Sequence, residues 1–438
     1  MATPKITNAL RAAQSIAGVE GTPDYSRPLV VVTTLFFMWG FLTSLNDILV
    51  PHLKSIFELS YARVMLVQFA FFSSYFLFSV PWSKVVNRIG YQRTMVVGLS
   101  TMAVGALLFL PAATAASYPL FLSALVILAA GITGLQVAAN PYVVVLGKPE
   151  TASSRLDLTQ AFNSLGTTIA PKLGGLLILS TAPFAMEQLQ QLGPQALHVY
   201  RVQEAASVKM PYTVISVALV LLALFIGTFK LPTIESTAYR PGEKVNDSIW
   251  RHPNLLLGAI GIFTYVGAEV SIGSFLVNYF GSPEIAGLSA KTAAGFVSFY
   301  WGGAMTGRFL GAGLLRRFKP GYLLALCAIS AAALVAASML LGGHAAMWTI
   351  LAVGFFNSIM FPTIFSLGVA ELGPLTGNGS GVLNMAIVGG AILPVIQGVI
   401  ADHVGIHHAF FLPVICYLYI LFYGLSGSKP NSARSATA

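Results

Sequence analysis

Along this chain apolar residues come in long unbroken runs, at about 29–52, 64–83, 94–113, 118–146, 158–180, 211–229, 254–280, 293–314, 321–341, 345–370, 380–400 and 408–426, with polar residues gathered in the intervals between them. A bilayer core takes roughly 20 helical residues to cross. In lipid every backbone polar group must be satisfied within the element, which leaves helices or closed barrels, and a barrel would read as short alternating segments. The pattern therefore predicts an all-α membrane protein with twelve transmembrane helices.

Composition agrees and removes other classes. Of 438 residues, 56% are hydrophobic and 9% are charged, against roughly 25% charged in an average soluble domain. The net charge of +9 has a plain source in a membrane protein, because basic residues collect in loops on the cytoplasmic side; no nucleic-acid partner is expected. With the N-terminus inside, the tails and even-to-odd loops hold 18 of the 24 Lys and Arg, while the outer loops hold five and Lys172 lies within a run. Both termini are thus expected in the cytoplasm. Cys327 and Cys416 lie in apolar runs and suggest neither a disulfide framework nor a metal site. The first 25 residues are polar without a small-residue cleavage site and read as a tail, and 183–210 reads as an outer loop with a surface helix. The expected organisation is a tail at 1–28, a six-helix bundle at 29–229, a cytoplasmic linker at 230–252, a second bundle at 253–427 and a tail at 428–438, as a monomer in the lipid bilayer.

An internal repeat supports the division into halves. Pro141-Tyr142-Val143-Val144-Val145-Leu146-Gly147 in the fourth run matches Pro362-Thr363-Ile364-Phe365-Ser366-Leu367-Gly368 in the tenth, 221 positions on. Gly166-Thr167-Thr168-Ile169-Ala170-Pro171 in the fifth matches Gly389-Gly390-Ala391-Ile392-Leu393-Pro394 in the eleventh, 223 positions on. Two parallel six-helix repeats with basic inner loops describe the pseudo-symmetric major facilitator arrangement, whose ligand site lies near mid-membrane between the halves. An offset of 222 carries Asp47, the one ionisable residue between Leu29 and His52, to Glu269 in the seventh run. A carboxylate inside a bilayer costs roughly 2.5–3.5 kcal/mol on insertion scales, so such a residue faces a partner or a wet cavity and marks a functional position. A permanent hydrogen bond to a neighbouring helix is the alternative for each acid.

A neutral polar ligand would bind through amides, carboxylates and aromatic faces set in a mostly apolar wall. The fourth, fifth, tenth and eleventh runs supply Gln136, Asn140, Gln160, Asn163, Asn357 and Asn384, the first four as pairs three or four apart on one helix face. Interhelical hydrogen bonding is the other use of such amides. Trp39, Tyr265, Phe299 and Trp301 offer stacking faces, or packing. Lys84, Arg88 and Arg93 after the second run and Arg308, Arg316 and Arg317 after the eighth fall in equivalent loops and read as gate and topology elements. Asp157, Glu371 and Asp402 lie at run ends, where solvation is easy, and His403, His407 and His408 read as surface. No Gly-x-x-x-x-Gly-Lys-Ser/Thr loop occurs, so transport would run on a gradient, without a cofactor. A carboxylate raised in a dry cavity can take up a proton outside and release it inside; sodium held by Asp47 with Asn46 would serve as well.

Several stretches together carry a family resemblance. Asn46-Asp47-Ile48-Leu49-Val50-Pro51, Ala138-Ala139-Asn140-Pro141-Tyr142, Gln160-Ala161-Phe162-Asn163-Ser164-Leu165-Gly166 and Phe361-Pro362-Thr363-Ile364-Phe365-Ser366-Leu367 resemble the fucose:proton symporter family of the major facilitator superfamily. Phe36-Phe37-Met38-Trp39-Gly40, Gly147-Lys148-Pro149-Glu150-Thr151 and Tyr265-Val266-Gly267-Ala268-Glu269-Val270-Ser271 most resemble its bacterial glucose/galactose branch. The resemblance implies uptake of a monosaccharide with a cation across the inner membrane, with Asp47 as the proton-linked acid and Gln160 and Asn163 near the sugar. Fucose symporters carry a glutamate where this chain has Gln136 and a glutamine where it has Glu269. Glucose or galactose is the expected substrate and the proton the expected cation. N-acetylglucosamine or fucose symport, sodium coupling and uncoupled hexose diffusion are the alternatives. A membrane-embedded enzyme is not expected, since no nucleophile, histidine and acid set falls within the runs; a sugar sensor would need a signalling domain longer than these tails.

Overall fold

The computed structural model describes residues 25–57, 61–178, 209–232 and 247–430, with short pieces between 193 and 202; at 42, 43, 45–57, 61–66, 68, 171–178 and 290 it describes the backbone alone. The expected surface helix at 183–210 and most of the linker lie outside these residues. In chain order the helices are α1 (Ser26–Phe57), α2 and α3, which are the arms 61–89 and 91–114 of Tyr61–Thr114, α4 (Tyr118–Val145), α5 (Ala152–Ile178) and α6 (Lys209–Thr228). The second set is α7 (Pro253–Gly281), α8 (Ala290–Leu314), α9 (Pro320–Leu340), α10 (Gly343–Gly368), α11 (Gly373–Val404) and α12 (Ile406–Gly427). These are the twelve crossings of two six-helix halves. At Gly90, between α2 and α3, φ is 81° and ψ is 171°, and nothing lies within 4 Å of where a Cβ would stand. The backbone angle itself, and not a neighbour, requires glycine there.

Packing inside each half follows the repeat. A Cβ on Gly166 of α5 would stand 2.3 Å from the Phe37 carbonyl oxygen of α1, and one on Gly389 of α11 would stand 2.1 Å from that of Phe263 on α7. Matched glycines thus let α5 lie against α1 and α11 against α7 at backbone distance, the usual means of bringing helices together where lipid offers no hydrophobic drive. The amide of Gln136 on α4 donates to the Tyr75 hydroxyl of α2 at 2.6 Å. Asn357 on α10, 221 positions later, donates to the Tyr300 hydroxyl of α8 at 2.8 Å. Phe109 of α3 stacks on Tyr212 of α6 with ring centroids 4.1 Å apart, closing the outer flank of the first half.

The halves meet through α5 against α8 and α10 and through α2 and α4 against α11. We call the membrane side that carries the connection between α6 and α7 the linker face. Near it the Ser154 hydroxyl donates to the Ala312 carbonyl at 2.6 Å, Ser153 and Ser366 share a hydrogen bond of 2.6 Å, Asn87 donates to Asn378 at 2.6 Å and Ser380 donates to the Val137 carbonyl at 2.9 Å. The assembly is shut on the linker face.

Two expectations are corrected, those for Asp157 and His407. Asp157 is not solvated at a helix end: it lies inside α5 with no exposed surface, and neither carboxylate oxygen has a hydrogen-bond partner. Arg155 closes the end of α4 by donating to the carbonyls of Val143, Val144 and Lys148, groups near a helix terminus that lack internal partners. His407 is half-buried and engaged rather than free at the surface, its ring nitrogens 2.6 Å from the Met339 carbonyl and 3.2 Å from the Tyr279 hydroxyl. At the entry to α7, outside the membrane, the His252 ring and the Ser248 N–H, each 2.7 Å from its carboxylate, hold Asp247 below the usual carboxyl range.

Gly166→Val and Gly389→Val are each expected to destabilise the fold by about 1–3 kcal/mol or more, read as earlier loss of the monodisperse species on heating in detergent. Gly302→Ala, where nothing lies within 4 Å of the added carbon, is expected to melt with the parent. Three variants melting alike would refute the close helix approach.

Candidate functional site

Glu269 lies midway along α7, partly buried, and its Oε1 accepts a hydrogen bond of 2.7 Å from Tyr265 one turn earlier. The Tyr300 hydroxyl reaches the Glu269 carbonyl at 3.5 Å and accepts from Asn357. Gly273, one turn beyond Glu269 on α7, leaves room for the Trp301 ring, whose nearest atom would stand 3.2 Å from a Cβ there. Trp301 is 45% exposed. The second half therefore joins Glu269, Tyr265, Tyr300, Asn357 and Trp301 into one connected group spanning α7, α8 and α10. Its chemistry is a carboxylate held by one phenol, with lone pairs to spare, beside an accessible indole face.

In the first half the expected polar residues are divided among roles. Asn163 donates to the Phe36 carbonyl of α1 at 2.9 Å, beside Gly40, whose added Cβ would meet the Asn163 backbone. Gln136 is engaged with Tyr75. Asn140 is fully buried with neither side-chain nitrogen nor oxygen partnered, and the Gln160 nitrogen is likewise buried and unpartnered. An amide left so costs about 1–3 kcal/mol, and a ligand that supplies the missing bonds would recover it. Trp39 is buried against Phe36, ring centroids 5.5 Å apart, and not laid open as a platform. Asn384 donates to the Ser380 carbonyl of its own helix at 2.9 Å and leaves its oxygen unpartnered. Asn46 and Asp47 fall in α1, but their side chains lie outside the described residues.

The basic candidates separate cleanly. Lys84, Arg88 and Arg93 are exposed at the linker-face ends of α2 and α3, and Arg317 is exposed after α8. Arg308 instead lies inside α8, where its guanidinium donates to the Ser164 hydroxyl of α5 and to the Ser358 carbonyl of α10, and it acts electrostatically on both Glu269 and Asp157. Arg316 reaches Ser154 at 3.4 Å. Of the six, Arg308 and Arg316 tie the halves together. Phe299, 58% exposed, packs edge-on against Trp348 on the outside of the bundle.

Sequence reasoning missed Tyr75 and Tyr300, which hold the amides, and Gln397 and Ser271, which are buried in α11 and α7 with unpartnered side-chain atoms. Gln397 carried the signal that marked Asn384, an amide within an apolar run. Among the described residues no group of three His, Cys, Asp or Glu could hold a metal.

The chain resembles known proteins over nearly its whole length. It is 53% identical over 406 residues to the glucose/galactose transporter of Brucella abortus, covering 93% of this chain and 95% of that one. It is 36% identical over 424 residues to the L-fucose-proton symporter of Escherichia coli, covering 95% and 96%. The crystal structure of FucP in the outward conformation superposes with a TM-score of 0.86 at 34% identity, covering 93% of this chain and all of that one. The Major Facilitator Superfamily profile matches residues 31–393. With twelve helices in two repeated halves and a carboxylate set between membrane helices, the chain belongs to the Major Facilitator Superfamily.

Proposed function

We propose that this protein is a secondary active transporter, not an enzyme, that imports a hexose of the glucose/galactose type together with a proton by alternating access. The observation that carries the reading is the half-buried Glu269 carboxylate, held by Tyr265 at 2.7 Å and placed one helical turn from an accessible indole. A carboxylate with free lone pairs accepts two sugar hydroxyls, and an aromatic face covers the apolar side of a pyranose ring. The relatives named above, a glucose/galactose transporter and an L-fucose-proton symporter, support the substrate class and the proton.

In this reading the linker face is cytoplasmic in a bacterial inner membrane, with both termini inside, as the distribution of Lys and Arg favours. The seam of α5 with α8 and of α2 with α11 is then the closed inner gate, which matches the outward conformation of the FucP structure. Sugar enters from the opposite face and meets Glu269, Trp301 and Asn357 from one half and Asn140, Gln160 and Asn163 from the other. Asp47, at the repeat-related position on α1, takes the coupling proton. The loaded halves rock until the seam opens, and a carrier that crosses poorly when half-loaded converts the proton gradient into sugar accumulation.

Glu269→Gln is expected to weaken glucose binding about 10- to 100-fold, the loss of a charged hydrogen-bond acceptor worth about 1.5–3 kcal/mol, by calorimetry on purified protein. Tyr265→Phe is expected to cost several-fold less. Unchanged affinity in Glu269→Gln would remove that residue from the sugar site.

In proteoliposomes, Asp47→Ala is expected to keep sugar exchange and lose accumulation driven by an imposed pH gradient, while a sodium gradient drives none in either protein. Sodium-driven uptake by the parent, or proton-driven accumulation by the variant, would overturn this assignment of the coupling ion or its site.

A further inference from the structure

The seam contains an acid that neither sugar binding nor the Asp47 scheme employs. Asp157 sits on α5 at the contact between halves, wholly buried, with both carboxylate oxygens lacking any hydrogen-bond donor. Across the seam it faces Gly311 of α8, where a Cβ would stand 2.7 Å from Asp157 Oδ2, so the carboxyl group lies directly against the opposing helix backbone. The charged and titratable neighbours are few. Arg308 on α8 acts on Asp157 at a distance, but its guanidinium donates to Ser164 and Ser358. Arg316 on α8 turns to Ser154 and Arg155 on α5 turns to the end of α4. Cys327 on α9 also feels Asp157.

An ionised carboxylate with no protein donor in a buried contact costs several kcal/mol, whereas the neutral acid is tolerated and is itself a donor. The repeat shows what this position does in the other half. Ser380 lies 223 residues after Asp157, the offset that relates α5 to α11, and its hydroxyl donates across the seam to the Val137 carbonyl of α4 at 2.9 Å. A hydroxyl donor occupies one of the two equivalent places, and only the protonated form of Asp157 supplies a comparable donor at the other.

We propose that Asp157 is a proton-binding latch, which keeps its proton while the linker-face seam is shut and releases it to water on that face when the seam parts. Closing the seam again requires that the proton be rebound, so the return of the carrier to its outward form is linked to the proton activity on the linker face. The latch rests on the alternating-access reading above but not on the identity of the sugar.

The test uses the full chain in lipid nanodiscs, with Cys327→Ser and Cys416→Ala, and spin labels at Lys148→Cys and Arg317→Cys, both exposed on the linker face. Without sugar and in an Asp47→Asn background, the fraction at the short, seam-shut distance is expected to fall as pH rises from about 5 to about 9, a range wide enough to titrate a perturbed carboxyl group. Asp157→Asn and Asp157→Ser are expected to keep the short distance at every pH. Infrared spectra of the parent are expected to show a protonated-carboxyl C=O band that Asp157→Asn lacks and Asp47→Asn retains. A distance that responds to sugar while Asp157→Asn keeps the parent's pH dependence, or an infrared band that survives in Asp157→Asn, overturns the latch alone. A distance that responds to neither sugar nor pH overturns alternating access and the latch with it.

Discussion

The contact between the two halves has to be tight enough to exclude water and weak enough to part, and much of the sequence near the linker face serves that requirement. Hydroxyl and amide bonds join Ser153 to Ser366, Ser154 to Ala312, Asn87 to Asn378, and Ser380 to Val137, each worth about 0.5–1.5 kcal/mol net. The guanidinium groups of Arg308 and Arg316 add bonds to Ser164 and Ser154, and a well-formed bond to a charged group is worth about 1.5–3 kcal/mol. Among the described residues no salt bridge crosses it. Within a half, by contrast, α5 is locked to α1 and α11 to α7 by glycine contacts that no side chain could replace. Separating the halves breaks a handful of modest bonds that water can remake; separating helices inside a half would open close-packed backbone. Rigid halves moving about a soft seam is the motion this distribution of strengths permits.

The duplication explains why the frame is so regular. The amide-to-tyrosine bond of Gln136 with Tyr75 recurs as Asn357 with Tyr300, and the contact of Gly166 with Phe37 recurs as Gly389 with Phe263. Against that common scaffold the charged positions stand out as departures. Arg308 lies 221 positions after Asn87, so a neutral amide bridge in one seam corresponds to a guanidinium bridge in the other. Asp157 takes the place of a serine. Shared positions build the frame, and the unshared ones carry ionisable chemistry.

The number and type of helices, the repeat and the mid-helix acid Glu269 were legible in the sequence because they are written in uninterrupted hydrophobicity, where a single polar residue is conspicuous. What was not legible lies where polar residues sit inside a helix for the sake of a partner from the other half. The run expected to start at 158 begins as a helix at Ala152, because Ser153, Ser154 and Asp157 face α8 and α10 and not water. The eleventh helix starts before 380 for the same reason, with Asn378 and Ser380 turned to α2 and α4. Period and hydropathy report how polar a residue is, not whether the neighbour that satisfies it belongs to lipid, water or another helix. Tyr75 and Tyr300 escaped notice because an aromatic in an apolar run looks like packing until its hydroxyl partner is known.

The pattern of satisfied and unsatisfied atoms also restricts what the site can receive. Asn357, Asn384 and Asn163 each spend an amide hydrogen bond on the protein, and the oxygens of Asn357 and Asn384 remain buried without partners. Glu269 adds acceptor capacity, since one phenol does not exhaust a carboxylate. The guanidinium within electrostatic reach, that of Arg308, is already committed to Ser164 and Ser358. With the unpartnered nitrogens of Asn140 and Gln160 as donors beside these acceptors, the set suits, in the proposed reading, a ligand whose groups both donate and accept, as hydroxyls do, and that carries no negative charge. A phosphorylated or carboxylated sugar would place its anion near Glu269 with no uncommitted cation to meet it among the described residues, and like charges so placed repel strongly where water is scarce. In the proposed reading a neutral polyol ring matches the same set of atoms, because each hydroxyl both donates and accepts.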